Sequence, residues 1–113
     1  MNQTTSLFSD IPPQDLEAEQ SVLGAIMLSK DAFSAVCGKL KPEYFYKTSH
    51  QLIYEAILSL HDRLEPIDLV TLSAETKKKG VLDKLGGRSY LADVLNSVPT
   101  AANVEHYADI IFE

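Results

Sequence analysis

Thr48-Ser49-His50-Gln51-Leu52-Ile53-Tyr54-Glu55-Ala56-Ile57-Leu58-Ser59-Leu60 decides the fold class. Ile53, Ala56, Ile57 and Leu60 recur at i, i+3, i+4, i+7, which puts them on one face of an α-helix, with Leu52 and Leu64 beside that stripe. Thr48 followed three residues later by Gln51 reads as a capping box. A helix of about 14 residues is therefore expected, and Pro66 blocks its continuation.

The same period extends both ways. Upstream, Pro42 ends a helix and opens a turn carrying Tyr44, Phe45 and Tyr46. Ser29 is a cap for the preceding helix, with Asp31 in its first turn and Phe33, Val36, Cys37 and Leu40 on its apolar stripe. Cys37 is read there as a packed core thiol. Before it, Asp15 to Leu28 carries a broad stripe of Leu16, Val22, Leu23, Ile26 and Met27. Glu17 and Glu19 are expected to be exposed in its first turn, where the helix dipole favours acids. Gly24 sits mid-helix, which implies close approach of another helix. Pro12-Pro13 suits a helix start, and residues 1–11 are polar and unpatterned, as a flexible arm would be.

Downstream, Asp68 caps a helix from Leu69 to Lys79 that Gly80 terminates. Val81 to Leu85 is a short turn or helix stopped by Gly86-Gly87. Ser89 to Ser97 carries Tyr90, Leu91, Val94, Leu95 and Val98 on one side. Pro99 breaks it, and Thr100 is placed to cap a last helix with Val104, Tyr107, Ala108 and Ile111 in register. These two helices are expected to fold back as an antiparallel hairpin. No stop signal precedes Glu113, so the hairpin reads as cut short. No segment alternates with period two, and the fold is read as all-α.

The 113 residues suit one domain, with 45% hydrophobic and 23% charged residues excluding wholesale disorder. The single cysteine excludes an internal disulfide and a cysteine zinc site, and with no secretory signal the reading is cytoplasmic. The longest apolar run, Val22 to Leu28, is too short to span a bilayer. The net charge of -6 argues against a nucleic-acid grip. Residues 77–90 form a basic island of net +4, but it lacks interleaved aromatic residues. Residues 91–113 follow with net -4.

Catalytic signatures are missing. Gly38-Lys39 does not extend to a phosphate-cradling loop, and no nucleophile-elbow motif occurs. His50 and His61 fall near one helix face but roughly 16 Å apart along its axis, too far to share a metal ion. They and His106 are assigned surface or capping roles. The residues alone describe a helical, acidic, non-enzymatic interaction domain with no catalytic, cofactor or metal site.

Five motifs in order carry a resemblance. They are Pro12-Pro13-Gln14-Asp15-Leu16-Glu17-Ala18-Glu19-Gln20-Ser21-Val22-Leu23-Gly24; Phe45-Tyr46 with His50-Gln51 and Ile53-Tyr54-Glu55-Ala56; Glu65-Pro66-Ile67-Asp68-Leu69-Val70-Thr71-Leu72; Gly86-Gly87 with Ser89-Tyr90-Leu91; and Val98-Pro99-Thr100-Ala101-Ala102-Asn103-Val104-Glu105 with Tyr107-Ala108. The chain resembles the N-terminal domain of the bacterial replicative DNA helicase, the DnaB family, over residues 11–113. The resemblance implies a helical head, about 12–85, followed by the start of a helical hairpin, about 88–113. It implies self-association as dimers within a six-membered collar above the motor domains, which use ATP and Mg. It also implies docking of the C-terminal domain of primase, with a helicase loader as a further partner. Carried over by motif, Tyr90 is the docking tyrosine. Asp93, Val94, Glu105 and Asp109 complete the candidate partner-binding set, the acids serving to steer a basic partner. Tyrosines are frequent binding hot spots, yet Leu91, Val94 and Leu95 mark a buried stripe, so a core role for Tyr90 stays open. The implied function is a non-catalytic assembly and primase-docking domain. The alternative is a purely structural collar with no primase contact. Thr76 stands where the family usually has leucine, which leaves the packing there open.

Overall fold

The computed structural model describes residues 13–98 and 100–112. The expected arm at 1–11, Pro12 and Pro99 lie outside the described residues. Seven α-helices and one 3-10 turn follow in order: α1 Pro13–Leu28, α2 Lys30–Val36, the turn Pro42–Tyr44, α3 Thr48–Asp62, α4 Leu69–Lys78, α5 Leu82–Leu85, α6 Gly87–Asn96 and α7 Val104–Phe112. No strand occurs among the described residues, in agreement with the all-α reading.

Helix α1 is the central element. Val22, Leu23, Ala25 and Ile26 are buried almost all round it, because α2, α3, α6 and α7 each pack against it. Gly24 permits the closest of these approaches. A Cβ there would lie 2.6 Å from the Val94 carbonyl oxygen and 2.8 Å from Val98 Cγ1, so any side chain would push α6 away. The two helices of the expected hairpin each find their main partner in α1 rather than in one another. One apolar cluster therefore runs from Val22 through Ile53 and Leu72 to Leu91, Val94, Val104 and Ala108.

Most local signals act as read. Ser29 Oγ accepts the Asp31 N–H at 3.1 Å. Asp68 and Thr71 form a reciprocal capping box at 2.9 Å each way. Gly80 and Gly86 take positive φ at helix ends. Thr76 is fully buried, and its hydroxyl donates to the Leu72 carbonyl at 2.7 Å, so a polar residue packs in α4 without an unmet donor. Tyr54 is equally buried and donates to the Leu40 carbonyl at 3.2 Å. Burial, helped by the nearby Cys37, pushes its phenol up to about 12, so it stays protonated and donating.

Four local expectations are corrected. Lys47, not Thr48, precedes the first turn of α3, and Thr48 makes no capping bond; Gln51 instead donates to the Phe45 carbonyl at 2.7 Å. Cys37 is exposed, because α2 ends at Val36 and the chain turns before the stripe completes another turn. Thr100 Oγ1 accepts the Ala102 N–H at 3.2 Å and so caps a turn, while α7 starts only at Val104. Leu64, expected beside the α3 stripe, is 89% exposed, since α3 has ended before it.

Candidate docking site around Tyr90

Three helices converge on Tyr90. The Gly86-Gly87 turn starts α6 and sets Tyr90 within its first turns, half-buried. From α1 come Glu19 and Gln20, and from the start of α3 come Lys47 and His50. The Tyr90 hydroxyl lies 2.7 Å from His50 Nε2, 3.1 Å from Lys47 Nζ and 3.3 Å from Gln20 Nε2. Lys47 Nζ also stands 4.6 Å from the centre of the Tyr90 ring, within cation–π reach.

Behind Tyr90 the chain of bonds continues inward. His50 Nδ1 lies 2.7 Å from Glu19 Oε1, and both residues are buried. The other Glu19 oxygen accepts the Tyr46 N–H at 2.7 Å, and Oε1 also accepts the Lys47 N–H at 3.4 Å. Glu19 thus holds the chain just before α3, where Thr48 provides no cap. Counting donors fixes the imidazole roles. The Lys47 ammonium and the Gln20 side-chain amide nitrogen only donate, so they occupy both lone pairs of the Tyr90 oxygen. The phenol then donates to His50 Nε2, and His50 Nδ1–H donates to Glu19. This assignment partners both His50 ring nitrogens, both Glu19 oxygens and the Tyr90 hydroxyl; the buried Ser49 hydroxyl beside them has no partner among the described residues. It also commits the Tyr90 hydroxyl to bonds within the domain.

Glu19 and His50 correct the sequence reading, which placed the first on an exposed turn and the second at the surface or in a cap. Their burial was encoded in spacing. Glu19 precedes Val22, Leu23 and Ile26 at i, i+3, i+4, i+7, and His50 precedes Ile53, Tyr54 and Ile57 in the same way. Each occupies the next turn of an apolar stripe, on the face that goes inside.

The other candidate residues do not gather at Tyr90. Val94 is fully buried beneath Gly24, so it has no surface to offer a partner and is corrected to a core residue. Asp93 is exposed on α6. Glu105 and Asp109 face α2: Glu105 lines a shallow cleft with Asp31 and Ala35, and Asp109 bonds Lys39 Nζ at 2.7 Å. That bond holds the Lys39 ammonium above its ordinary range. A larger cleft of about 510 Å³ lies between α1 and the α6–α7 end, lined by Glu17, Gln20, Ser97, Tyr107 and Ile110. Gln20 joins it to the Tyr90 cluster. His61 is exposed against Phe33, with ring centres 4.8 Å apart. No group of three metal-ligating side chains occurs among the described residues. No helix among them is long and apolar enough to cross a membrane.

A family model described as DnaB-like helicase N terminal domain matches residues 11–113. The chain belongs to this family. Replicative DNA helicase DnaC of Bacillus subtilis is 53% identical over 110 residues, which are 96% of this chain and 24% of that protein. Replicative DNA helicase DnaB of Mycobacterium leprae is 50% identical over 106 residues, 94% of this chain and 18% of that protein. The crystal structure of the N-terminal domain of DnaB helicase from Mycobacterium tuberculosis superposes with a TM-score of 0.84 at 52% identity. That match covers 88% of this chain and 69% of the other. The chain thus spans no more than about a quarter of these curated relatives. Its residues are the DnaB-type N-terminal domain, and the helicase motor is not among them.

Proposed function

We propose that this domain is a non-catalytic assembly and docking module of a replicative DNA helicase acting in DNA replication. It joins copies of itself in a hexameric collar and receives the C-terminal domain of primase at the surface around Tyr90. The observation that carries this reading is the match to DnaB-type N-terminal domains across residues 11–113. The half-buried Tyr90 ring beside the cleft shared by Gln20, Tyr107 and Ile110 supports the docking half. A tyrosine ring beside that cleft, with the exposed Glu17 among its lining residues, suits a protein partner better than phosphate. ATP and Mg belong to the motor of the whole protein. A helicase loader is a further partner of the same class, direct nucleic-acid binding by this domain is not part of the reading, and the cytoplasm is its place.

One observation favours the second reading, a collar that touches no primase: every hydrogen bond of the Tyr90 hydroxyl is spent inside the domain. NMR titration of the labelled domain with the cognate primase C-terminal domain separates the two. Shifts clustered on Tyr90, Gln20 and Ile110 support docking. If none appear, and crosslinks of the full-length helicase from this face reach sister subunits alone, the collar reading stands instead.

A further inference from the structure

While His50 is neutral, the Tyr90 oxygen has no hydrogen-bonding position to spare. Lys47 Nζ at 3.1 Å and Gln20 Nε2 at 3.3 Å donate to it, and its own hydrogen goes to His50 Nε2 at 2.7 Å. Glu19 holds the Nδ1–H tautomer from behind, at 2.7 Å. Lys47 also lies over the Tyr90 ring, 4.6 Å from its centre. The surface at Tyr90 is thus a ring covered by an ammonium, and both are tied to one buried imidazole.

One proton on His50 Nε2 is incompatible with this arrangement. Both ring nitrogens then donate, Nδ1–H to Glu19 and Nε2–H to Tyr90. Three donors converge on an oxygen with two lone pairs, so one must leave and the phenol hydrogen must turn away from the imidazole. Of the other two donors, Lys47 alone is a cation, and it would face the imidazolium across a single oxygen. Its side chain is exposed, so water solvates the freed ammonium, whereas Gln20 is half-buried on α1. The Lys47 backbone stays in place, because its N–H is held by Glu19. The proton comes from solvent, the phenol keeps its own hydrogen, and the cluster gains one positive charge that Glu19 faces directly. Glu43 of the 3-10 turn and Asp83 and Lys84 of α5 are exposed and bond none of these groups among the described residues, while α4 meets the far end of α3 through Glu75 and Arg63.

We infer that His50 is a proton-operated latch on the Tyr90 surface: neutral, it keeps Lys47 on the Tyr90 oxygen and ring; protonated, it releases Lys47 and turns the phenol hydrogen outward. The latched surface is a covered ring with no free donor on the phenol. The released surface is a bare ring face with an outward O–H. The latch is built wholly from bonds within the domain, so it does not depend on which partner Tyr90 meets.

The test is a side-chain NMR titration of the isotope-labelled chain between about pH 8 and about pH 5, the range in which imidazoles take up protons. At the upper end His50 should carry its hydrogen on Nδ1, and the Lys47 ε-methylene, lying over the Tyr90 ring, should resonate upfield of the other lysines. As His50 takes up its proton, that displacement should fall by more than half, and the Tyr90 ring signals should move with the same midpoint. His50→Gln forms hydrogen bonds but does not titrate, so in that variant Lys47 and Tyr90 should stay still across the range. Where His50→Gln does not fold, Lys47→Met serves instead: with the opposing ammonium gone, His50 should take up its proton roughly half a pH unit higher than in wild type. An Nε2–H tautomer at the upper end would overturn the inference. So would Lys47 signals that hold still while His50 titrates, a His50 that takes up no proton before the chain unfolds, or an unchanged midpoint in Lys47→Met.

Discussion

Helix α3 begins among buried polar groups and ends on an exposed apolar one. At its start, Glu19, His50 and Tyr90 form a chain of hydrogen bonds in which both His50 ring nitrogens and both Glu19 oxygens are partnered, with only the neighbouring Ser49 hydroxyl left without a partner among the described buried side chains. At its end, Leu64 stands in solvent in a backbone conformation that suits glycine. Burial by itself therefore says little about role. What distinguishes the two ends is satisfaction: the polar cluster completes its bonding inside the domain, and the leucine completes nothing. The first end is a device of the fold, with one ring left facing outward. The second end is where the fold carries a cost with no return inside it.

The largest test of this contrast removes the anchor of the buried end. Glu19→Ala leaves His50 Nδ1–H and the Tyr46 and Lys47 N–H groups without their acceptor. We expect a loss of about 3 kcal/mol or more in denaturant unfolding at unchanged m-value. A loss under 1 kcal/mol would mean that water reaches the cluster and that it is not a closed network. Tyr90→Phe is gentler. It removes the hydroxyl shared by His50, Lys47 and Gln20 and should cost about 1–2 kcal/mol, while primase binding stays near wild type because the ring remains. Binding that falls in step with the missing hydroxyl would show that the oxygen, not the ring, meets the partner.

At the other end the sign reverses. Leu64→Gly should stabilise the isolated domain by about 0.5 kcal/mol, because relief of left-handed strain outweighs the looser unfolded chain. That corresponds to roughly 2–4 °C in Tm. A lower Tm would show that Leu64 packs in solution after all. The smallest effect concerns Glu75, buried near the same end and bonded to Arg63. The Arg63 hydrogen bond holds its carboxyl below the ordinary value of 4.5. A depressed carboxylate stabilises fully above its unfolded value and loses that contribution as pH falls through the folded one. Wild type should therefore lose stability below about pH 4.5 slightly faster than Glu75→Gln. Parallel acid curves would show that Arg63 and Glu75 do not couple.

The helices were legible in the sequence because their apolar spacing is long and regular; Ile53, Ala56, Ile57 and Leu60 alone define α3. Its starting cap was misread, because Thr48 and Gln51 have the right spacing but the anchor comes from Glu19, 29 residues before Thr48. No local window contains such a bond. Glu19 and His50 were legible in principle, as each continues an apolar register, but their polarity argued for the surface. Tyr90 entered through resemblance, while its partners Gln20 and Lys47 carry no pattern of their own. Leu64 defeats any periodic reading, since only the backbone reveals that its helix has ended.

The approach of α6 to Gly24 has a consequence for the order of events on the ribosome. The apolar flank of α1 is covered by Val94 and by α7, which are made about 70 to 85 residues after it. At roughly 5–20 residues per second, several seconds pass in which α1 waits for α6 and α7. During that interval Val22, Leu23 and Ile26, all buried in the folded domain, lack the cover that α6 and α7 bring. Helix α1 is thus enclosed only after the helices that follow it are made, and a chaperone that shields emerging apolar segments would find its natural client there.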